Sequence, residues 1–165
     1  IDQTLDALTS FSEEMDKRGQ LSSSLIVRSG VISASEEVAS KLKIPTGVSV
    51  VMLKRVRMVN DQPLAIETAY IIADYCNGIL DRFDFRHESL YRVLKDHYDL
   101  RLIYADQELE ARLATPEEVE KLHIEVGSPI LSMRRVTYIE AEQPIEFVES
   151  AYRGERYKFR ARLVN

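Results

Sequence analysis

Hydrophobic positions along this chain change period several times, and each change marks an element. Residues 4–18 carry apolar side chains at helical spacing, with Leu5, Leu8, Phe11 and Met15 on one stripe. Ser10 followed by Glu13 forms a capping box, which places the effective helix start near Ser10, and Gly19 stops it. Residues 23–32 read as a strand, and Ser35 caps a helix through Leu42 that Pro45 and Gly47 close. Residues 48–59 and 63–72 form a hairpin around Asn60-Asp61. Residues 75–85 are irregular, with one helical turn over 78–82. A helix over 89–98 turns Leu90, Val93 and Leu94 inward, and 102–113 reads as a strand. Pro116 opens a further helix at its first turn. Residues 129–152 make a second hairpin, and 156–164 alternate Tyr157, Phe159, Ala161 and Leu163 as a last strand. The sum is an antiparallel α+β domain with helices in the connections.

The chain also repeats itself. Glu36-Glu37-Val38-Ala39-Ser40-Lys41-Leu42-Lys43-Ile44-Pro45-Thr46-Gly47 is answered by Glu117-Glu118-Val119-Glu120-Lys121-Leu122-His123-Ile124-Glu125-Val126-Gly127. Each passage runs into a β-rich stretch, with Arg55-Val56 matching Arg135-Val136. Each then turns at Gln-Pro (Gln62-Pro63, Gln143-Pro144) and ends in Glu67-Thr68-Ala69-Tyr70 or Glu149-Ser150-Ala151-Tyr152. Two copies are too few for a solenoid, so the halves are expected to close into one domain. Residues that differ between the copies become candidates for function.

Composition narrows the picture without sharpening it. At 165 residues, 45% hydrophobic and 30% charged, the chain is one globular domain able to bury a core. No apolar run reaches the ~20 residues of a membrane span, and nothing resembles a secretory signal. The single cysteine, Cys76, excludes an intrachain disulfide and multi-cysteine metal sites, which fits a reducing cytoplasm. Acids outnumber bases for a net charge of −5. The basic clusters, Lys54-Arg55-Arg57 and residues 153–162, lie within strand patterns, so this domain is not expected to bind DNA alone.

Candidate chemistry centres on the first hairpin. Val51, Leu53, Arg55, Arg57 and Val59 share one face of a strand, and two arginines on an apolar face need anionic partners. Turning the hairpin puts Arg55 opposite Glu67, and the repeat suggests an equivalent Arg135–Glu149 pair. Arg57 corresponds to the neutral Thr137, which leaves it without an anion on this reading. A structural ion pair and a bound anion both remain open. Ser12, in the first turn of one helix, and Ser89, at the start of another, add donors suited to an anion, or act as ordinary caps. Signs of an enzyme are weak. His87, His97 and His123 are scattered, Cys76 has no evident base, and Glu67, Glu146 and Glu149 more readily pair with arginine than form a catalytic dyad.

Five segments together resemble a known family. They are Leu8-Thr9-Ser10-Phe11-Ser12-Glu13-Glu14-Met15, the Leu-x-Arg-x-Arg of Leu53, Arg55 and Arg57, Pro63-Leu64-Ala65-Ile66-Glu67-Thr68-Ala69-Tyr70, Ser89-Leu90-Tyr91, and Ala151-Tyr152-Arg153-Gly154-Glu155-Arg156-Tyr157-Lys158-Phe159. In that order they resemble the UTRA domain, the effector-sensing half of HutC-type GntR transcription regulators. The resemblance implies a chorismate-lyase-like α+β fold, a mostly antiparallel sheet with an internal duplication. It implies a cytoplasmic homodimer, a small anionic effector such as a sugar phosphate, no cofactor or metal, and no catalytic residues. Ser12, Arg55, Arg57 and Ser89 would hold the phosphate or carboxylate. Glu67, Glu146 and Tyr152 would contact the rest, with Phe11 at the entrance. Residues 1–7 would end a linker from a winged helix-turn-helix domain that alone contacts DNA, and 8–165 would be the sensor. A lyase acting on a chorismate-type substrate on the same fold is the competing expectation.

Overall fold

A computed structural model describes residues 1–4 and 7–165. Its elements are β1 (Asp2–Thr4), α1 (Phe11–Lys17), β2 (Ser22–Ser33), α2 (Glu36–Leu42), β3 (Ser49–Val59), β4 (Gln62–Ile72), α3 (Ile79–Arg82), α4 (Leu90–Tyr98), β5 (Tyr104–Leu113), α5 (Pro116–Leu122), β6 (Pro129–Ile139), β7 (Gln143–Arg153) and β8 (Lys158–Arg160). Six strands form one antiparallel sheet in the order β2-β3-β4-β7-β6-β5. Read from its centre, this order is palindromic. Each half is a helix, an edge strand, a second helix and a hairpin, so the duplication reaches further back than Glu36 and takes in α1 with β2 and α4 with β5.

The halves are interlocked. Helix α2 of the first half packs on β7 of the second, and α5 of the second packs on β4 of the first. Ion pairs follow the same exchange: Lys54 on β3 meets Glu117 on α5 at 2.6 Å, and its counterpart Arg134 on β6 meets Glu37 on α2. These two helices cover one sheet face. Helices α1 and α4 lie over the other, where β3 and β4 turn Arg55, Arg57 and Glu67 and β6 and β7 turn Arg135, Glu146 and Tyr152. Strands covered on both sides explain the nearly continuous burial of β3, β4 and β7.

Local signals account for most boundaries. Ser10 and Glu13 form the expected capping box and the helix starts there, spanning Phe11–Lys17; the helical spacing that reaches back to residue 4 does not make helix at Asp2–Thr4, which pair in parallel with Lys158–Arg160. Leu5 of the predicted stripe lies outside the described residues. Met15 is fully buried, worth roughly 1.5–3 kcal/mol. The last strand is also shorter than its alternation predicted: Tyr157 is buried, but Leu163 is 91% exposed, since β1 offers only three residues to pair with.

The two hairpins differ in one respect that matters. Val59 and Gln62 close over Asn60 and Asp61, both with positive φ, as a tight two-residue hairpin turn requires. Ile139 and Gln143 close over three residues, Glu140 to Glu142, with Ala141 and Glu142 held at positive φ. The longer turn leaves the ladder in register, but β7 carries one more residue between Gln143 and Glu149 than β4 does between Gln62 and Glu67, and a step of one residue exchanges faces. Arg135 therefore faces Val148, and Glu149 pairs with Arg134 at 3.4 Å. The expected Arg135–Glu149 pair is not formed.

Candidate functional site

On the α1/α4 face, the central strands deliver charge into an otherwise apolar interior. Arg55 and Arg57 alternate along β3, 2% and 3% exposed, and both donate to Oε1 of Glu67 at 2.9 Å. Arg57 thus shares an anion, contrary to the expectation that it lacks one: Ala65 faces it across the hairpin, but Glu67 reaches back from its neighbouring pair. The second Arg57 nitrogen donates to Ser12 Oγ at 2.9 Å, and its guanidinium lies 4.6 Å from the Phe11 ring centre. Arg55 also donates to the Phe85 carbonyl at 3.4 Å. The Nε atoms of both arginines are buried without a hydrogen-bond partner.

The second half contributes a different set. Glu146 stands opposite Thr137 across the β6–β7 ladder and accepts from Tyr91 Oη at 3.0 Å and from Thr137 Oγ1 at 3.3 Å. Arg135 donates from Nε to Gln107 at 2.9 Å and from Nη1 to the Thr9 carbonyl at 3.2 Å, with Tyr91 Oη at 3.4 Å. It ties an edge strand, the approach to α1 and helix α4 to one point on β6.

Fifteen residues line the resulting cavity, among them Phe11, Ser12, Arg55, Arg57, Glu67, Glu146 and Tyr152. Seven of the eight sequence-predicted positions therefore come together. Ser89 does not line it. Its hydroxyl caps α4 by accepting from Arg92 N at 3.3 Å and lies 3.4 Å from the hydroxyl of Ser10, the cap of α1. The sequence reading missed Arg135 and Tyr91 as lining residues. The repeat held a signal for Arg135, which occupies the place of Arg55, but it was read as a structural pair. Tyr91 stands in the Ser89-Leu90-Tyr91 segment of the resemblance but was given no role there; it enters because α4 crosses the sheet. The free volume is about 30 Å³, room for a water or two.

Electrostatics separate the two carboxylates. Burial pushes Glu67 upward, but Arg57, Arg55 and Arg135 outweigh it and hold Glu67 below the usual carboxylate range. Glu146, enclosed and repelled by Glu67, is pushed up to about 7 despite its hydrogen bonds. Burial and the neighbouring Arg57 lower Arg55 to about 10, still a cation at neutral pH. Burial, then the charge of Glu67, raises Tyr152 to about 12, so its hydroxyl stays protonated. Three arginines face one firmly ionised carboxylate and one that titrates near neutrality, which leaves the cavity positive.

The family model of the UTRA domain matches residues 17–158. The chain is 36% identical over 159 residues to the HTH-type transcriptional repressor NagR of Bacillus subtilis (strain 168), covering 96% of this chain and 65% of that protein. It is 27% identical over 162 residues to the HTH-type transcriptional regulator GgaR of Escherichia coli (strain K12), covering 96% and 62%. The chain thus spans less than two thirds of the length of these relatives. The crystal structure of the effector domain of PhnF from Mycobacterium smegmatis superposes with a TM-score of 0.93 at 25% identity, covering 100% of both chains. These relatives are transcription regulators and a regulator's effector domain, not enzymes, so the lyase alternative falls away. The chain belongs to the UTRA domain family, the ligand-binding domains of GntR-type transcription regulators.

Proposed function

We propose that this domain senses a small anionic metabolite, a sugar phosphate in the first instance, and that binding changes how a DNA-binding domain of the same protein engages its operator. The observation that carries the reading is the positive cavity: Arg55 and Arg57 share one carboxylate and keep buried, unpartnered Nε donors. A phosphate with several acceptor oxygens suits such donors. Ser12, hydrogen-bonded to Arg57, adds a hydroxyl on the phosphate side, and Ser89 would join it only if α4 moved. Glu67, Glu146 and Tyr152 are placed for sugar hydroxyls, and Phe11 for the mouth. The protein acts as a cytoplasmic homodimer, as the family resemblance implies. Among the described residues, no helix is long and apolar enough to cross a membrane.

An effector shifts the DNA-binding equilibrium only by binding two arrangements of the protein unequally. The small cavity supplies the two arrangements. A ligand pocket spans roughly 300 Å³ or more, so α1 or α4 must move outward to admit a sugar phosphate. Helix α1 follows directly from the N-terminal segment and is the element that would carry the movement onward.

Thermal melting of the domain with a panel of sugar phosphates, their unphosphorylated sugars and inorganic phosphate tests this. At about 100 times its dissociation constant, a phosphorylated ligand should add roughly 2.7 kcal/mol, a rise of about 5–10 °C. Arg57→Ala should abolish the rise. Equal rises with phosphorylated and unphosphorylated sugars would sink the anion reading.

A further inference from the structure

Arg135 differs from the other two cavity arginines in making no salt bridge among the described residues, its charge reaching Glu67 and Glu146 only at longer range. It is 9% exposed, and among the described residues no carboxylate lies within salt-bridge distance of it. Its hydrogen bonds go to an amide oxygen, a main-chain carbonyl and a phenol, all neutral. These use Nε and Nη1; among the described residues Nη2 has no hydrogen-bond partner, although the side chain lines the cavity. A fixed guanidinium fork with one edge unused is a donor prepared for an acceptor.

The duplication sharpens the point. Arg55 and Arg135 are equivalent positions, but the carboxylate opposite Arg55 is replaced by Val148 opposite Arg135. The acid of the second half sits instead at Glu146, hydrogen-bonded to Tyr91 and Thr137. One half of the cavity has two cations sharing one carboxylate, with Nε donors to spare, and the other a cation that makes no salt bridge among the described residues and lies beside a hydroxyl network.

We propose that Arg135 forms a second subsite, which takes an acceptor-only oxygen, a carboxylate or acyl carbonyl, at the end of the effector remote from its phosphate. This rests on the anion reading above and narrows the ligand class to phosphorylated sugars that carry such a group. A plain hydroxyl fits less well, because an arginine only donates and gains most from a strong acceptor. Arg135 also holds the Thr9 carbonyl, so the same residue reads the ligand and fixes the chain leading into α1.

Calorimetric titration of the wild-type domain, Arg57→Ala, Arg135→Gln and Arg135→Lys separates the possibilities. The probes are inorganic phosphate, glucose 6-phosphate, 6-phosphogluconate and an N-acylated hexosamine 6-phosphate. Expected is wild-type preference for at least one acceptor-bearing probe over glucose 6-phosphate. Arg135→Gln should weaken that probe about ten- to a hundred-fold and leave inorganic phosphate within about two-fold. Arg135→Lys keeps the charge without the fork and guards against a folding defect; it should recover only part of the affinity, with a melt close to wild type. Equal weakening of inorganic phosphate and the larger ligand by Arg135→Gln would overturn the second subsite. So would equal affinity of every phosphate probe in wild type and Arg135→Gln. Failure of wild type to bind any phosphate would instead overturn the anion reading on which it rests.

Discussion

Glu146 lies 3.0 Å from the Tyr91 hydroxyl, fully enclosed, with a pKa pushed up to about 7 by burial and then by Glu67. In the unfolded chain it would titrate near 4.3. Between those values the native state holds a proton that the unfolded state has released, so this residue's contribution to stability falls as pH rises from about 4 to 7. Below that window both states are protonated; above it the penalty is complete. Glu146→Gln removes the titration. Melting curves should show the variant more stable than wild type at pH 8, by up to about 3 kcal/mol, and little changed at pH 4.5. An equal gain at both pH values would mean that packing, not charge, sets the effect. Glu67 shows how neighbours reverse burial: it is also buried, but three arginines hold it ionised. The identities of Arg55, Arg57, Glu67, Glu146 and Tyr152 as candidates were legible in sequence. Which acid stays ionised was not, because that depends on distances to side chains from other elements.

The two hairpin turns differ in length and in backbone strain. The first turn places Asn60 and Asp61 at positive φ, where short polar side chains are tolerated. The second holds Ala141 at φ 58, a left-handed conformation that an alanine resists. Ala141→Gly should relieve this and raise stability by about 0.5–1 kcal/mol in denaturant titration, with no change in ligand response. A loss of stability would show that the alanine methyl makes contacts outweighing the backbone cost. The sequence displayed both turns, the caps at Ser10 and Ser35, and the proline at the start of α5, and the structure adds a cap at Thr115. It concealed the consequence of the additional residue between Gln143 and Glu149, since matching Glu149 to Glu67 by similarity ignored the one-residue step that turns Glu149 away from the cavity.

Across the molecule, each half completes the other. Helix α2 lies on β7 and α5 on β4, and the exchanged pairs Lys54–Glu117 and Arg134–Glu37 fix the arrangement more than they stabilise it, being partly exposed. Neither half can bury its own sheet. Fragments 1–82 and 83–165 should each lack a cooperative melt, and an equimolar mixture should regain one with the far-ultraviolet circular dichroism of the intact chain. Cooperative unfolding by either fragment alone would show that the halves are independent. The same architecture places the cavity across the line where the halves meet, with Arg55 and Arg57 from one and Arg135 and Glu146 from the other. A ligand there bridges both halves.

What the sequence determined by itself was local or repetitive: strand alternation, helix caps, the duplication, and the arginines on an apolar strand face. These follow from neighbours a few residues apart, where period, propensity and capping chemistry act. Only the tertiary structure decided which carboxylate serves which arginine, that Arg135 enters the cavity with no salt bridge among the described residues, that Ser89 stays behind as a cap, and that the N-terminal residues pair with the C-terminal ones. Each of these depends on register across hairpins or on crossings between halves. A single additional residue along a strand changes the face a side chain takes while leaving the local pattern intact.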